Sequence, residues 1–116
     1  MAYLTAQPPA APLMQNLQCF GTEPFWSVTL TDRIIYAPMD GPAFDHEVTA
    51  RTRALNRPDR YALRGGNGTH SATAIVERHI CSDGMSDAEF GLSLDLILQS
   101  RAGQVFLSGC CRLTGD

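Results

Sequence analysis

The chain has 116 residues, a net charge of −3 and a charged fraction of 18%, which is typical of one ordinary domain that buries roughly two-thirds of its unfolded surface. All nine basic residues are Arg, and nine scattered guanidinium groups on an acidic chain do not make the continuous positive field that binds nucleic acid. No run approaches the ~20 apolar residues that a membrane-spanning helix needs.

The first eighteen residues are rich in Ala and Pro, with Pro8, Pro9 and Pro12 among them. This composition favours extended polyproline-type conformations over packing. We therefore expect residues 1–18 to form a poorly ordered tether and residues 19–116 to form a single domain.

From residue 22 onward, apolar residues recur at every second position, which is typical of half-buried strands. Trp26, Val28 and Leu30 alternate with polar residues, and the most regular run, 92–98, has Leu at every second position. The strands predicted in this way cover residues 25–30, 33–37, 46–55, 60–64, 71–80, 92–98 and 104–113. Strands separated by so few residues are typical of antiparallel sandwiches and small barrels. No stretch of ten residues shows the apolar periodicity of a helix. We predict an all-β fold, a small antiparallel barrel of about seven to eight strands.

The same alternation predicts which side chains point into the barrel. Besides the residues of the first strand, the predicted inward set contains Tyr61, Leu63, Ala72, Ala74, Val76, Ile80, Val105, Leu107, Cys111 and Leu113.

A group of arginines lies across the third and fourth predicted strands: Arg51, Arg53, Arg57, Arg60 and Arg64. Such a group suits an anionic partner, such as lipid headgroups or a carboxylate-bearing glycan. The simpler interpretation, which we favour, is a solvated outer face with Glu47 and Asp59 as local partners.

The four cysteines, Cys19, Cys81, Cys110 and Cys111, indicate disulfides and an oxidising compartment. Four free thiols in a cytosolic protein are the alternative. Cys110 and Cys111 are adjacent, so they point to opposite faces of a strand, and a bridge between them would be strained. Alternation places Cys111 inward and both Cys110 and Cys81 outward. We therefore favour the pairs Cys81–Cys110 and Cys19–Cys111 over the swapped pairing.

The adjacent cysteines also raise the possibility of a redox or soft-metal site. They lack the CxxC spacing of such sites, and no His lies close in sequence. We expect no bound metal and no cofactor.

An acidic segment follows Cys81 and contains Asp83, Asp87 and Glu89. A calcium loop is one interpretation, but the spacing does not match an EF-hand. Ser86 and Glu89 fit a capping box, which predicts one short helical turn near residues 86–90 and assigns the carboxylates to turns and caps.

The three histidines, His46, His70 and His79, prompt a comparison with hydrolase triads. No Ser lies in a nucleophile elbow or beside a Gly-rich oxyanion loop. We therefore predict that the protein is not an enzyme.

Three segments together resemble a family of small bacterial cell-envelope proteins, which are often described only as uncharacterised, lipoprotein-like or predicted membrane proteins. The segments are GTEPFW at 21–26, CSDGMSD at 81–87 and LSGCC at 107–111. More distantly, the chain is similar to META-domain heat-shock lipoproteins and membrane-bound inhibitors of c-type lysozyme. The resemblance implies a small antiparallel barrel and a periplasmic setting, without a known activity. The motif residues within these segments are Gly21, Glu23, Pro24, Trp26, Asp83, Gly84, Met85, Ser86 and Asp87, and Glu89 joins them as a candidate structural residue through the capping box.

These observations favour a non-enzymatic domain of the periplasm or cell envelope that binds or protects a partner, such as an envelope protein. One alternative is an inhibitor of a cell-wall hydrolase that inserts a loop into the enzyme's cleft, and another is a small-ligand carrier. No basic segment followed by an apolar one opens the chain, so we expect a mature form whose targeting segment has been removed. Contact with a membrane would then occur only through a removed N-terminal anchor.

Overall fold

The chain folds into a closed barrel of eight antiparallel strands in a computed structural model, which describes residues 16–22, 25–82 and 89–114. Each strand pairs with the next along the chain, and the last pairs with the first. The strands are β1 (Leu17–Thr22), β2 (Phe25–Leu30), β3 (Arg33–Pro38), β4 (Phe44–Ala54), β5 (Arg57–Gly66), β6 (Ser71–Ser82), β7 (Glu89–Ser100) and β8 (Gly103–Leu113). The prediction of an all-β antiparallel barrel is confirmed.

Strand β1 closes the barrel and was not among the predicted strands. It pairs with β2 on one side and with β8 on the other, where Leu17 lies opposite Leu113 and Cys19 opposite Cys111. Its sequence, LQCFGT, contains a glycine and only one β-branched residue, so its local strand signal is weak. It begins at Leu17, so the barrel starts two residues before the predicted domain boundary.

Side chains fill the interior of the barrel. Trp26, Val28 and Leu30 point inward as predicted, and no polar or charged residue is classed as buried among the described residues. Burying each large apolar side chain stabilises the fold by about 1.5–3 kcal/mol. The remaining buried core residues are Leu17, Cys19, Ile34, Phe44, Tyr61, Leu63, Ala72, Ala74, Val76, Leu94, Leu96 and Cys111.

Three predicted inward residues are instead exposed. Ile80 is 70% exposed because the register of β6 against β7 shifts between Arg78 and Cys81, which interrupts the alternation. Val105 and Leu113 are 47% and 55% exposed near the two ends of β8. The prediction of an inward position was wrong for Ile80, and burial does not reach the ends of β8.

A second register shift changes the interpretation of the arginines. It lies between Val48 and Ala50, and beyond it Arg51 pairs with Leu63 and Arg53 with Tyr61. Directly opposed residues share a face of the sheet, so these two arginines lie on the inward face. The predicted outer face was therefore wrong for both, although the predicted solvation holds for Arg51, whose side chain is exposed, and not for Arg53, which is half-buried.

The other arginines of the group have the solvated character that was predicted. Arg57 forms ion pairs with Asp59, at 3.8 Å, and with Glu77, and Arg60 lies 3.7 Å from Glu77. Arg64 is exposed. Glu47 was predicted as a partner of this group, but it lies 4.0 Å from Arg33 on β3.

Helical structure is absent from the described residues, and accordingly none of them forms a helix long and apolar enough to cross a membrane. The helical turn predicted near 86–90 falls mainly on residues 86–88, which lie outside the described residues. Its last two positions, Glu89 and Phe90, belong to β7.

Candidate functional site

Both predicted disulfides are present in the favoured pairing. Cys19 and Cys111 are bridged inside the barrel with their Cα atoms 4.0 Å apart, and both are fully buried in the core. Cys81 and Cys110 are bridged with their Cα atoms 5.6 Å apart. Because Cys111 points into the core, its neighbour Cys110 points to the outer side of β8. Two adjacent cysteines of β8 therefore form bridges on opposite faces of the strand, Cys111 to β1 on the inner face and Cys110 to β6 on the outer face.

The outer bridge holds the end of the β6–β7 hairpin against β8 and β1. The Cys81 Sγ atom lies 3.4 Å from the carbonyl oxygen of Gly109. Phe90, which pairs with Cys81 across the hairpin, meets the ring of Phe20 edge-on at a centroid distance of 4.9 Å. The register shift in β6 redirects the hairpin end, so that it lies over the outer surface of the barrel.

Inside the barrel, the indole of Trp26 packs against glycines of two motifs, Gly21 of the segment 21–26 and Gly109 of the segment 107–111. A Cβ atom on Gly21 would lie 2.6 Å from Cζ2 of the indole, and one on Gly109 would lie 2.8 Å from its Cη2. Trp26 itself is 6% exposed. Gly21 therefore leaves space for the indole, and Gly109 leaves space both for the indole and for the backbone carbonyl oxygen of Phe20 on the neighbouring strand. Both glycines have a packing role.

A groove of about 250 Å³ lies beside the outer disulfide, and residues from all three motifs line it. The lining consists of Phe20, Gly21, Thr22, Cys81, Ser82, Ser93, Leu94, Asp95, Ser108, Gly109 and Cys110.

The groove presents mainly hydroxyl and backbone groups. Ser108 Oγ donates a hydrogen bond of 2.7 Å to Asp95 Oδ1 across the β7–β8 pair. Asp95 is the one titratable side chain among the lining residues, since the two cysteines are bridged. Such a surface offers hydrogen bonds to a polar partner. Ser93 and Asp95 were missed in the sequence because they are ordinary polar positions of an alternating strand, and Ser108 was noted only as part of the segment LSGCC.

Several motif residues lie outside the described residues: Glu23, Pro24, Asp83, Gly84, Met85, Ser86 and Asp87. The side chain of Glu89 is also not described, although its backbone is part of β7. The turn and cap roles assigned to these residues stay predictions.

A second opening of about 280 Å³ lies at the end of the barrel where β3 runs into β4. Tyr36, Phe44, Leu98 and Val105 give it an apolar lining, with His70 also contributing. Burial raises the pKa of the Tyr36 phenol. The sequence did not indicate this opening because its residues come from strand ends that are distant in the chain.

The histidines lie apart from the groove. The ring of His46 is tilted by 50° against that of Phe44 at a centroid distance of 4.5 Å, and His79 Nδ1 lies 2.8 Å from the carbonyl oxygen of Ile80. Among the described residues, no three His, Cys, Asp or Glu side chains are grouped so that they could hold a metal ion.

No protein-family model, curated protein or solved structure matches the chain.

Proposed function

We propose that this chain is a non-enzymatic binding domain of the bacterial cell envelope, which works in the periplasm and engages a partner at the groove beside Cys81–Cys110. The observation that supports this proposal is the meeting of residues from three separate motifs at that one groove. The two disulfides are consistent with an oxidising, extracytoplasmic location.

The chemistry of the groove favours binding over catalysis. Its described side chains supply the hydroxyl groups of Thr22, Ser82, Ser93 and Ser108 and the carboxylate of Asp95. Asp95 accepts the hydrogen bond of Ser108, but the described lining residues contain no imidazole or amine that would be a stronger base for activating a hydroxyl. The outer bridge and the strand pairs hold these groups on rigid elements, which lowers the cost of ordering them on binding. A partner with many hydroxyl or amide groups, such as a glycan or a protein backbone, suits this lining.

Site-specific photo-crosslinking tests the proposal. A photoreactive residue placed at Ser108, in a form exported to the bacterial periplasm, should give a discrete adduct with an envelope component. The same residue at Arg101, an exposed position in the β7–β8 turn, is the matched control. Equal adducts from both positions, or none from Ser108, would contradict a partner at the groove.

The inhibitor of a cell-wall hydrolase is the second candidate. The Cys81–Cys110 bridge holds the last described part of β6 against β8, and such a rigid base is what an inserting loop requires. The protein should then inhibit c-type or g-type lysozymes, and the double variant Cys81→Ser/Cys110→Ser should inhibit them much less. Absence of inhibition by the wild type at micromolar concentration would remove this candidate.

The small-ligand carrier is supported by the apolar opening near Tyr36 and Phe44. Native mass spectrometry after exposure to a mixture of lipids should then detect one bound molecule. Val105→Trp should abolish that adduct because the indole would occupy the opening. An unchanged adduct in this variant would place any ligand elsewhere.

A further inference from the structure

Two arginines on the inward face of the barrel have no role in the groove. Arg51 and Arg53 lie on β4 opposite the buried residues Leu63 and Tyr61 of β5. Strands β4 and β5 lie across the barrel from β8 and β1, so these arginines are on the side away from the outer disulfide. Neither arginine is among the residues that line the groove.

Arg53 carries the feature that requires an explanation. Its Nε and Nη2 atoms are both buried and have no hydrogen-bond partner. Arg60 Nε also has no hydrogen-bond partner, but it lies 3.7 Å from a carboxylate oxygen of Glu77. Leaving buried donors of a charged group without acceptors costs at least as much as losing a hydrogen bond to an ion. The two Arg53 nitrogens are therefore donors that an external acceptor would satisfy.

The acidic residues of the neighbouring strands do not meet this need. Glu77 is paired with Arg57 and Arg60, and Asp59 is paired with Arg57. Both carboxylates are therefore paired with arginines other than Arg53, whose buried nitrogens lack an acceptor.

The contacts of Arg51 and Arg53 show at which end of the barrel the two side chains lie. Arg51 Nη2 donates a hydrogen bond of 2.9 Å to the carbonyl oxygen of Thr31 in the β2–β3 turn. Burial raises the pKa of Tyr61 to about 12, and the charges of Arg51 and Arg53 act on the phenol in the opposite direction. Both guanidinium charges therefore lie near the Tyr61 ring, beside the turn that ends β2.

We propose that Arg53, flanked by Arg51, forms a binding site for an oxyanion group, a carboxylate or a phosphate, at this end of the barrel. A guanidinium group presents parallel N–H donors whose spacing matches two oxygens of either anion. A single bound anion would supply acceptors to Nε and Nη2 together and would offset the two positive charges. The site would take the anionic group of a small ligand and requires no metal or cofactor.

Arginine side-chain NMR tests the proposal on the wild-type protein. Inorganic phosphate and acetate are titrated in separate series, with sodium chloride keeping the ionic strength constant so that general screening does not change. The Nε–Hε resonance of Arg53, assigned from its loss in Arg53→Lys, should shift saturably with at least one of the two anions. The anion whose series saturates at the lower concentration shows whether the site prefers a phosphate or a carboxylate group.

Two variants make the test specific. Arg53→Lys keeps the charge but loses the fork, so its affinity for the anion should fall by about tenfold, the value of one hydrogen bond to an ion. Arg101→Gln removes one positive charge at an exposed position in the β7–β8 turn and should change the affinity by less than about twofold. Because each variant retains the buried apolar core, both should fold, which the melting temperature checks.

Three results would overturn the proposal. The first is an Arg53 resonance that neither anion shifts. The second is an equal loss of affinity in Arg53→Lys and Arg101→Gln, since binding would then depend on charge alone. The third is a shift that grows linearly with anion concentration without saturating, because that is the behaviour of weak, non-specific association.

Discussion

Trp26 packs in the barrel only because two glycines leave room for its ring. In Gly109→Ala, the new Cβ would lie 2.8 Å from Cη2 of the indole and would also clash with the backbone carbonyl oxygen of Phe20. We expect this substitution to lower the free energy of unfolding by about 1–3 kcal/mol, the usual cost of overpacking. Urea unfolding followed by tryptophan fluorescence measures the change.

Gly91→Ala is the matched control, because nothing lies within 4 Å of a Cβ at that position. It should leave the free energy of unfolding within about 0.5 kcal/mol of the wild type. If Gly109→Ala were equally well tolerated, Trp26 would not occupy the space between the two motifs.

Tyr61 should make the stability of the protein fall at alkaline pH. Burial raises its pKa to about 12 in the folded state, whereas the unfolded state ionises near the ordinary value of about 10. A raised phenol pKa contributes stability that is complete below pH ~10 and is lost between pH ~10 and ~12, on the order of 2 kcal/mol in all. Denaturant midpoints measured across this range should fall more steeply in the wild type than in Tyr61→Phe.

The composition makes this titration easy to interpret. The chain contains no lysine and its four cysteines are bridged, so tyrosines dominate the ionisation in this range. Tyr36→Phe is the comparison variant, since burial also raises the pKa of Tyr36. An unchanged slope in Tyr61→Phe would mean that the phenol does not stay neutral in the folded protein.

Strand β6 is continuous along the chain but changes the face that it buries. Val76 is fully buried, whereas Ile80, four residues later and of the same parity, is exposed after the register shift. Ile80→Thr should therefore change the free energy of unfolding by less than about 0.5 kcal/mol. Val76→Thr places a hydroxyl in the core and should cost about 1–3 kcal/mol.

Thermal unfolding of the two Thr variants measures the difference. Comparable losses in both would mean that the alternation of β6 continues without interruption through residue 80. The hairpin end would then not be redirected over β8 by the register shift.

Across the whole barrel, the two disulfides differ in the length of chain that they close. Cys19–Cys111 spans 92 residues and Cys81–Cys110 spans 29. The loop-entropy relation assigns the longer loop a contribution larger by about 1 kcal/mol. Cys19→Ser/Cys111→Ser should therefore melt at a lower temperature than Cys81→Ser/Cys110→Ser, and both below the wild type.

Alkylation provides the check on the same samples. Wild-type protein from an oxidising compartment should show no reactive thiol, and reduction should lower its melting temperature by more than either double variant alone. Two or more reactive thiols in the unreduced protein would contradict the bridges, and an opposite order of the two variants would contradict the loop-length argument.

The local pattern of the chain was sufficient for much of the fold. Strict alternation of apolar and polar residues predicted seven of the eight strands, since side chains of a strand alternate between two faces whatever the strand packs against. The same rule separated Cys110 from Cys111, and the pairing that we favoured is confirmed. The outward position of Cys81, however, was predicted from an alternation that the register shift before it interrupts. These features depend on near neighbours in sequence.

The remaining features depend on contacts between distant parts of the chain. β1 is a strand because β2 and β8 both pair with it, which its own residues did not indicate. The register shifts in β4 and β6 turned Arg51 and Arg53 inward and Ile80 outward. One extra residue inverts every later side chain of a strand, and its position is set by the twist and closure of the barrel rather than by composition. For the same reason, the groove and the inward arginines became visible only when the strands were assembled.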